Sequence, residues 1–115
     1  MAQFSDILIT CDFDRSLTAF DTTIPARNLE AIRYFMENGG AFTIHTGRSI
    51  PMTKVFRDKV PINAPLLLMN GSLTYDLHTG KVEAVRIGLD QGQTIRRAMA
   101  LLPEMVVEIQ GMDAH

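Results

Sequence analysis

An apolar run that ends in two acids, one residue apart, constrains this chain more than any other feature. Ile7, Leu8 and Ile9 lead into residues 11–18, CDFDRSLT, which carry Asp12 and Asp14. A short, β-branched run with charge only at its ends reads as a buried strand over residues 6–13. In a parallel sheet the carboxyl end of such a strand opens on the crevice where ligands bind. Paired carboxylates there have three uses. They hold a hard divalent cation, they divide the work as nucleophile and general acid/base, or they solvate a turn, for which Asp is also favoured.

The residues that follow supply the rest of a sheet. Residues 14–24 are polar and turn-like, and residues 25–40 read as a helix with Pro25 in its first turn. Its apolar stripe is Leu29, Ile32, Phe35 and Met36, and Gly39 with Gly40 stops it. Residues 41–46 form a second strand ended by Gly47, and residues 51–60 a short helix opened by Pro51. Pro61 and Pro65 frame a linker to a third apolar strand over 66–70. This β-α-β-α-β order with short loops predicts an α/β fold, a doubly wound parallel sheet covered by helices. Its strand ends, at Asp12 and Asp14, at Thr46, Gly47 and Arg48, and at Asn70 and Gly71, should converge on one crevice. Beyond it, residues 72–87 read as an antiparallel hairpin turning around residues 78–80. Residues 90–102 read as a helix with Asp90 as N-cap, and 105–111 as a last strand.

Composition removes several function classes. At 115 residues the chain is one domain or less, able to bury roughly two thirds of its unfolded surface. A net charge of −2 gives no electrostatic case for nucleic acid or an anionic membrane. No run approaches the ~18 apolar residues of a membrane span, and the opening MAQFSD is neither basic nor apolar, so no signal peptide is expected. The lone Cys11 excludes an internal disulfide and suits a reducing compartment, so a soluble cytoplasmic protein is expected.

Thr46, Gly47 and Arg48 complement the acids. A hydroxyl, an exposed glycine amide and a guanidinium at one strand end suit an oxyanion or phosphate. The plainer alternative is a capped turn with a solvated charge. Other polar groups have bland readings: Cys11 and His45 as packing, His78 as a solvated turn residue, and Arg96 with Arg97 as a wet helix face. Met36, Met69 and Met99 read as core filler.

Three segments in this order resemble the haloacid dehalogenase (HAD) superfamily. DILITCDFDRSLT resembles its motif I, an apolar strand followed by D-x-D-x-[ST]; FTIHTGRS is similar to motif II; and LLLMNGSLTYD is similar to the N-G segment of the Cof-like branch with a type-IIB cap. The resemblance implies a HAD-like Rossmannoid core, incomplete here, followed by the start of an α+β cap. Core and hairpin would occupy residues 1–87 and the truncated cap 88–115. It implies a Mg²⁺-dependent phosphoric monoester hydrolase that works through an aspartyl-phosphate on a small phosphorylated metabolite. Asp12 would be the nucleophile and Asp14 the general acid/base, with Mg²⁺ on the Asp12 carboxylate and the Asp14 backbone carbonyl. Thr46 and Gly47 would bind the phosphoryl oxygens, and Ser16, Arg48 and Asn70 would complete the phosphate and substrate contacts.

The chain departs from that pattern in places. Arg15 stands where Gly is usual and Ser16 where Thr is commoner. The family's later Lys and acidic pair have no counterpart: no Lys follows Lys81, and Asp113 lies in GMDAH. The expectation is therefore the N-terminal portion of a longer phosphatase, inactive or nearly so alone. The strand over 6–13 would be left as an apolar edge, open to the missing C-terminal half or to a second chain. Two other classes stay open, a non-catalytic binding or structural chain on the same scaffold and a receiver-like phospho-acceptor. The T-G-R and N-G strand ends and the hairpin favour the HAD reading over the receiver.

Overall fold

The computed structural model describes residues 2–85, 91–109 and 111–112. Five strands form one sheet in the order β1-β2-β3-β4-β5. β1 (Leu8–Asp12) lies parallel to β2 (Ala41–His45), with Leu8 opposite Ala41 and Asp12 opposite His45. β3 (Leu66–Leu68) continues the parallel part, and β4 (Leu73–Tyr75) and β5 (Val82–Ala84) add an antiparallel hairpin. This is the Rossmann-like α/β fold expected, its three parallel strands wound in one direction.

The crossover from β1 to β2 is α1 (Ala26–Glu37). Pro25 sits at its N-cap, where a missing N–H costs nothing. Ile32 and Phe35 are buried and Leu29 and Met36 pack beside them, the stripe read from the spacing. The helix stops in a Schellman motif: the Gly39 amide donates to the Met36 carbonyl and the Gly40 amide to that of Phe35, both at 3.0 Å. Gly39 has φ +93°, and a Cβ on Gly40 would lie 2.3 Å from the Phe35 ring. Both glycines are required here, one by conformation and one by space.

The core lies around β2 and β3, where Ile44, Phe56, Leu66 and Leu68 are fully buried. Phe13 packs against Phe56 in a tilted pair with ring centroids 4.7 Å apart, joining the turn after β1 to this core. Where the sequence reads as a short helix over 51–60, the chain forms a 3-10 turn, Pro51–Val55, and further turns closing on Val60. Asn63 then acts as a strand substitute beside β2. Its amide donates to the Phe42 carbonyl, its Oδ1 accepts the Phe42 amide at 2.7 Å, and its Nδ2 donates to the Gly40 carbonyl at 3.0 Å.

Several expectations need correction. β1 does not read as a buried strand among the described residues, since Ile7, Leu8 and Ile9 are 46%, 57% and 42% exposed. It is the edge of the sheet, so one of its backbone faces has no described partner. Residues 105–109 are not a strand, because no described strand lies beside them; Val106 is 93% exposed. Met99 is half-exposed on α2 (Gly92–Leu101), a helix without buried residues, and is not core filler. His45 is exposed at the end of β2 and does not pack. The hairpin stands where expected, closed by Asp76, whose Oδ1 accepts the His78 and Thr79 amides. Asp90, residues 86–87 and Asp113 lie outside the described residues. Among the described residues no helix is long and apolar enough to cross a membrane.

Asn63 gives a test of the fold. Asn63→Ala removes two part-buried side-chain hydrogen bonds from an exposed residue, each with a net worth of about 0.5–1.5 kcal/mol. Urea unfolding should show a loss of about 1–3 kcal/mol.

Candidate active site

The two acids stand at the end of β1, where the chain makes a single wide turn, Phe13–Leu17. Phe13 and Leu17 anchor this turn in the core, so the residues between them project outward. Thr18 ties it together: its hydroxyl accepts the Arg15 amide at 2.9 Å and donates to the Phe13 carbonyl at 3.3 Å. Arg15 sits at φ 62°, ψ 10°, the left-handed region that favours Gly. The backbone thus explains why Gly is usual here, and Arg15 carries strain in its place. The Asp12 carboxylate is half-buried and accepts the Ser16 hydroxyl at 3.2 Å.

The second strand end lies beside the first. Thr46 is buried, and its Oγ1 accepts the Arg48 amide at 3.2 Å. Arg48 forms a two-bonded ion pair with Asp14, Nε to Oδ2 at 3.0 Å and Nη2 to Oδ1 at 2.8 Å. Its guanidinium also lies 5.6 Å from the centre of the Phe13 ring, so the pair rests against an aromatic face. The sequence places Arg48 at the rim, facing a cap or a substrate; in the structure its guanidinium bonds Asp14.

The third strand end is stitched onto the second. The Met69 amide donates to the Arg48 carbonyl and the Asn70 amide to that of Thr46, each at 3.1 Å. Asn70 adopts φ 57°, which Asn tolerates better than most residues. A Cβ on Gly47 would come within 3.2 Å of the Asn70 Oδ1, so Gly47 lets this side chain approach. Asp14, Thr46, Gly47, Arg48 and Asn70 together line one open cleft of about 430 Å³. The structure brings these five together as the strand ends implied, while Asp12 and Ser16 form their own pair a step away. Thr18 and Phe13 escaped sequence reasoning as site residues; the only signal was their place within CDFDRSLT.

Electrostatics follow from the ion pair. The Arg48 hydrogen bonds hold the Asp14 carboxyl below the ordinary carboxylate range, with the Arg48 and Arg15 charges adding and partial desolvation opposing. Cys11 moves the other way: burial first, then the Asp12 charge, pushes its thiol up, which disfavours the nucleophilic thiolate. Among the described residues no three His, Cys, Asp or Glu side chains cluster as a metal cage.

Parallel strands that end in a D-x-D pair beside a T-G-R loop define a Rossmann-like α/β scaffold. The sequence model of the haloacid dehalogenase-like hydrolases matches residues 9–112, and the chain belongs to that family. Solved structures share the fold. A phosphatase of the haloalkanoate superfamily from Bacteroides thetaiotaomicron superposes with a TM-score of 0.65 at 24% identity, over 85% of this chain and 35% of its own. A haloacid dehalogenase-like hydrolase from B. subtilis gives 0.64 at 21% identity, over 84% and 33%. A Thermoplasma acidophilum protein gives 0.67 at 22%, over 82% and 41%. The chain therefore spans between 33% and 41% of the length of these structures. No curated protein matches the sequence.

Two measurements check this geometry. Arg15→Gly relieves about 1–2 kcal/mol of left-handed strain and returns about 0.5–1 kcal/mol through the looser unfolded chain. Urea unfolding should show a net gain of about 0.5 kcal/mol. A depressed carboxyl contributes stability above its unfolded pKa and loses it as the pH falls through the folded one. Because Asp14 is 54% exposed, that contribution is small. Arg48→Met should raise the Asp14 titration midpoint towards the ordinary carboxylate value, followed by carbon NMR. An unchanged midpoint would show that the ion pair does not persist in solution.

Proposed function

We propose that this chain carries the nucleophile-bearing part of a Mg²⁺-dependent phosphomonoester hydrolase. The observation that supports this reading is the convergence of Asp14, Thr46, Gly47, Arg48 and Asn70 on one cleft, beside Asp12 at the end of β1. In this reading an Asp12 carboxylate oxygen bonds to phosphorus as the ester P–O bond breaks, giving an aspartyl-phosphate. Asp14 gives a proton to the departing oxygen and later takes one from the water that cleaves the intermediate. An incoming phosphate dianion competes with Asp14 for Arg48, which frees the carboxyl for proton transfer. The Thr46 hydroxyl and the Gly47 amide donate to the phosphoryl oxygens, and Asn70 and Ser16 line the approach.

Family members generally use Mg²⁺. The donors here are oxygens, the Asp12 carboxylate with only Ser16 described on it and the Asp14 main-chain carbonyl; both fit a hard cation that keeps several waters. Bound there, Mg²⁺ would offset negative charge on the phosphoryl oxygens. The substrate class is a small phosphorylated metabolite, and the single cysteine suits a cytoplasmic setting.

The reading includes a polypeptide partner on β1. Its outer edge has no described partner, and its apolar residues are exposed. A strand from the rest of a longer phosphatase, or from a second chain, would pair there. Until it does, the 115-residue chain hydrolyses little or nothing.

A two-part experiment tests this. With Mg²⁺, beryllium fluoride should shift the amide signals of Asp12, Thr46 and Gly47, and Asp12→Asn should abolish the effect; silence in the unmodified chain would sink the phosphoryl-transfer reading and favour a binding role. The pure chain should leave p-nitrophenyl phosphate at the background rate. Mg²⁺-dependent turnover that Asp12→Asn removes would overturn the claim that a partner is needed.

A further inference from the structure

A second cavity, of about 580 Å³, adjoins the cleft. The two share Asp14 and Arg48 and no other lining residue, so the ion pair is the partition between them. Their chemistry differs. The cleft presents hydroxyl, amide and guanidinium groups suited to phosphate. The second cavity is lined by apolar side chains from four separate segments: Phe13 from the turn after β1, Ile24 before α1, Leu29 within α1 and Val55 from the 3-10 turn. Lys59, an exposed cation without an ion-pair partner among the described residues, also lines it.

We propose that this cavity seats the organic group of the phosphate ester, and that this group has an apolar face and an acidic substituent that reaches Lys59. The inference rests on the phosphatase reading, because Asp14 is where the leaving oxygen takes its proton. The organic group must extend from that oxygen, and of the two spaces that meet at Asp14 this one lacks the Thr46 hydroxyl and the Gly47 amide and has the more apolar wall. Its size lies within the usual range of small-molecule sites, roughly 300–1,000 Å³, and its walls match their apolar character. Thr18, which closes the turn bearing Asp14, also lines the cavity, so the piece of chain that positions the acid shapes this wall.

Non-hydrolysable phosphonates separate the two spaces. With Mg²⁺ and the full chain, NMR titration should show phenylphosphonate binding about tenfold tighter than methylphosphonate, the gain from burying one ring. The 4-carboxyphenyl analogue should bind tighter still. Val55→Asp, at a position already 44% exposed and so tolerated by the fold, should erase the phenyl advantage and leave methylphosphonate unchanged. Lys59→Ala should erase only the gain from the carboxylate, and Lys59→Arg should keep it. Methylphosphonate binding with no phenyl advantage, or an advantage that survives Val55→Asp, overturns the cavity assignment while leaving the phosphatase reading intact. Binding by none of the phosphonates overturns both.

Discussion

The site depends on the parallel register of β1 on β2. With Asp12 opposite His45, both strands leave the sheet at the same height. Asp14 and Arg48, 34 residues apart in sequence, are then within reach of each other. A slip of one residue would turn every side chain of β1 to the opposite face and separate the carboxylate from the guanidinium. The register is held by the α1 crossover, whose Schellman stop delivers the chain directly into β2. A helix terminus thus decides the geometry of an acid more than twenty residues upstream in the chain.

Around that register, the three strand ends are fixed by local backbone chemistry and not by bulk packing. Thr18 closes the first turn, Thr46 caps the second and the amides of Met69 and Asn70 fasten the third. Among the described non-glycine residues with positive φ, Arg15, Met69 and Asn70 lie in these turns and Thr22 lies outside them. Strain of this kind persists only where neighbours over-determine the conformation. Here the neighbours are the buried Phe13, Leu17 and Leu68, which hold the turns while their tips stay open.

How much of this was legible follows from what each feature depends on. The apolar strand ending in acids, the stripe of α1 and the convergence of Asp14, Thr46, Gly47, Arg48 and Asn70 depend on local pattern and sheet topology, and the sequence carries both. The exposure of Ile7, Leu8 and Ile9 depends on which strands lie alongside, which no local pattern encodes. Residues 105–109 failed as a strand for the same reason: β-branched composition favours extension, but a strand exists only with a partner. The pairing of Arg48 with Asp14 was hidden because a long guanidinium can reach several groups. Asn63 was hidden because a side chain that imitates a strand looks like any loop asparagine.

The open edge of β1 also bears on how the chain behaves in bulk. With no strand beside it among the described residues, the outer edge at Leu8 and Ile9 can offer backbone hydrogen bonds to an extended peptide, including another copy. The open edge and Asp12 therefore lie on the same five residues of β1. The strand that carries Asp12 is thus also an apolar edge open to pairing with another extended segment.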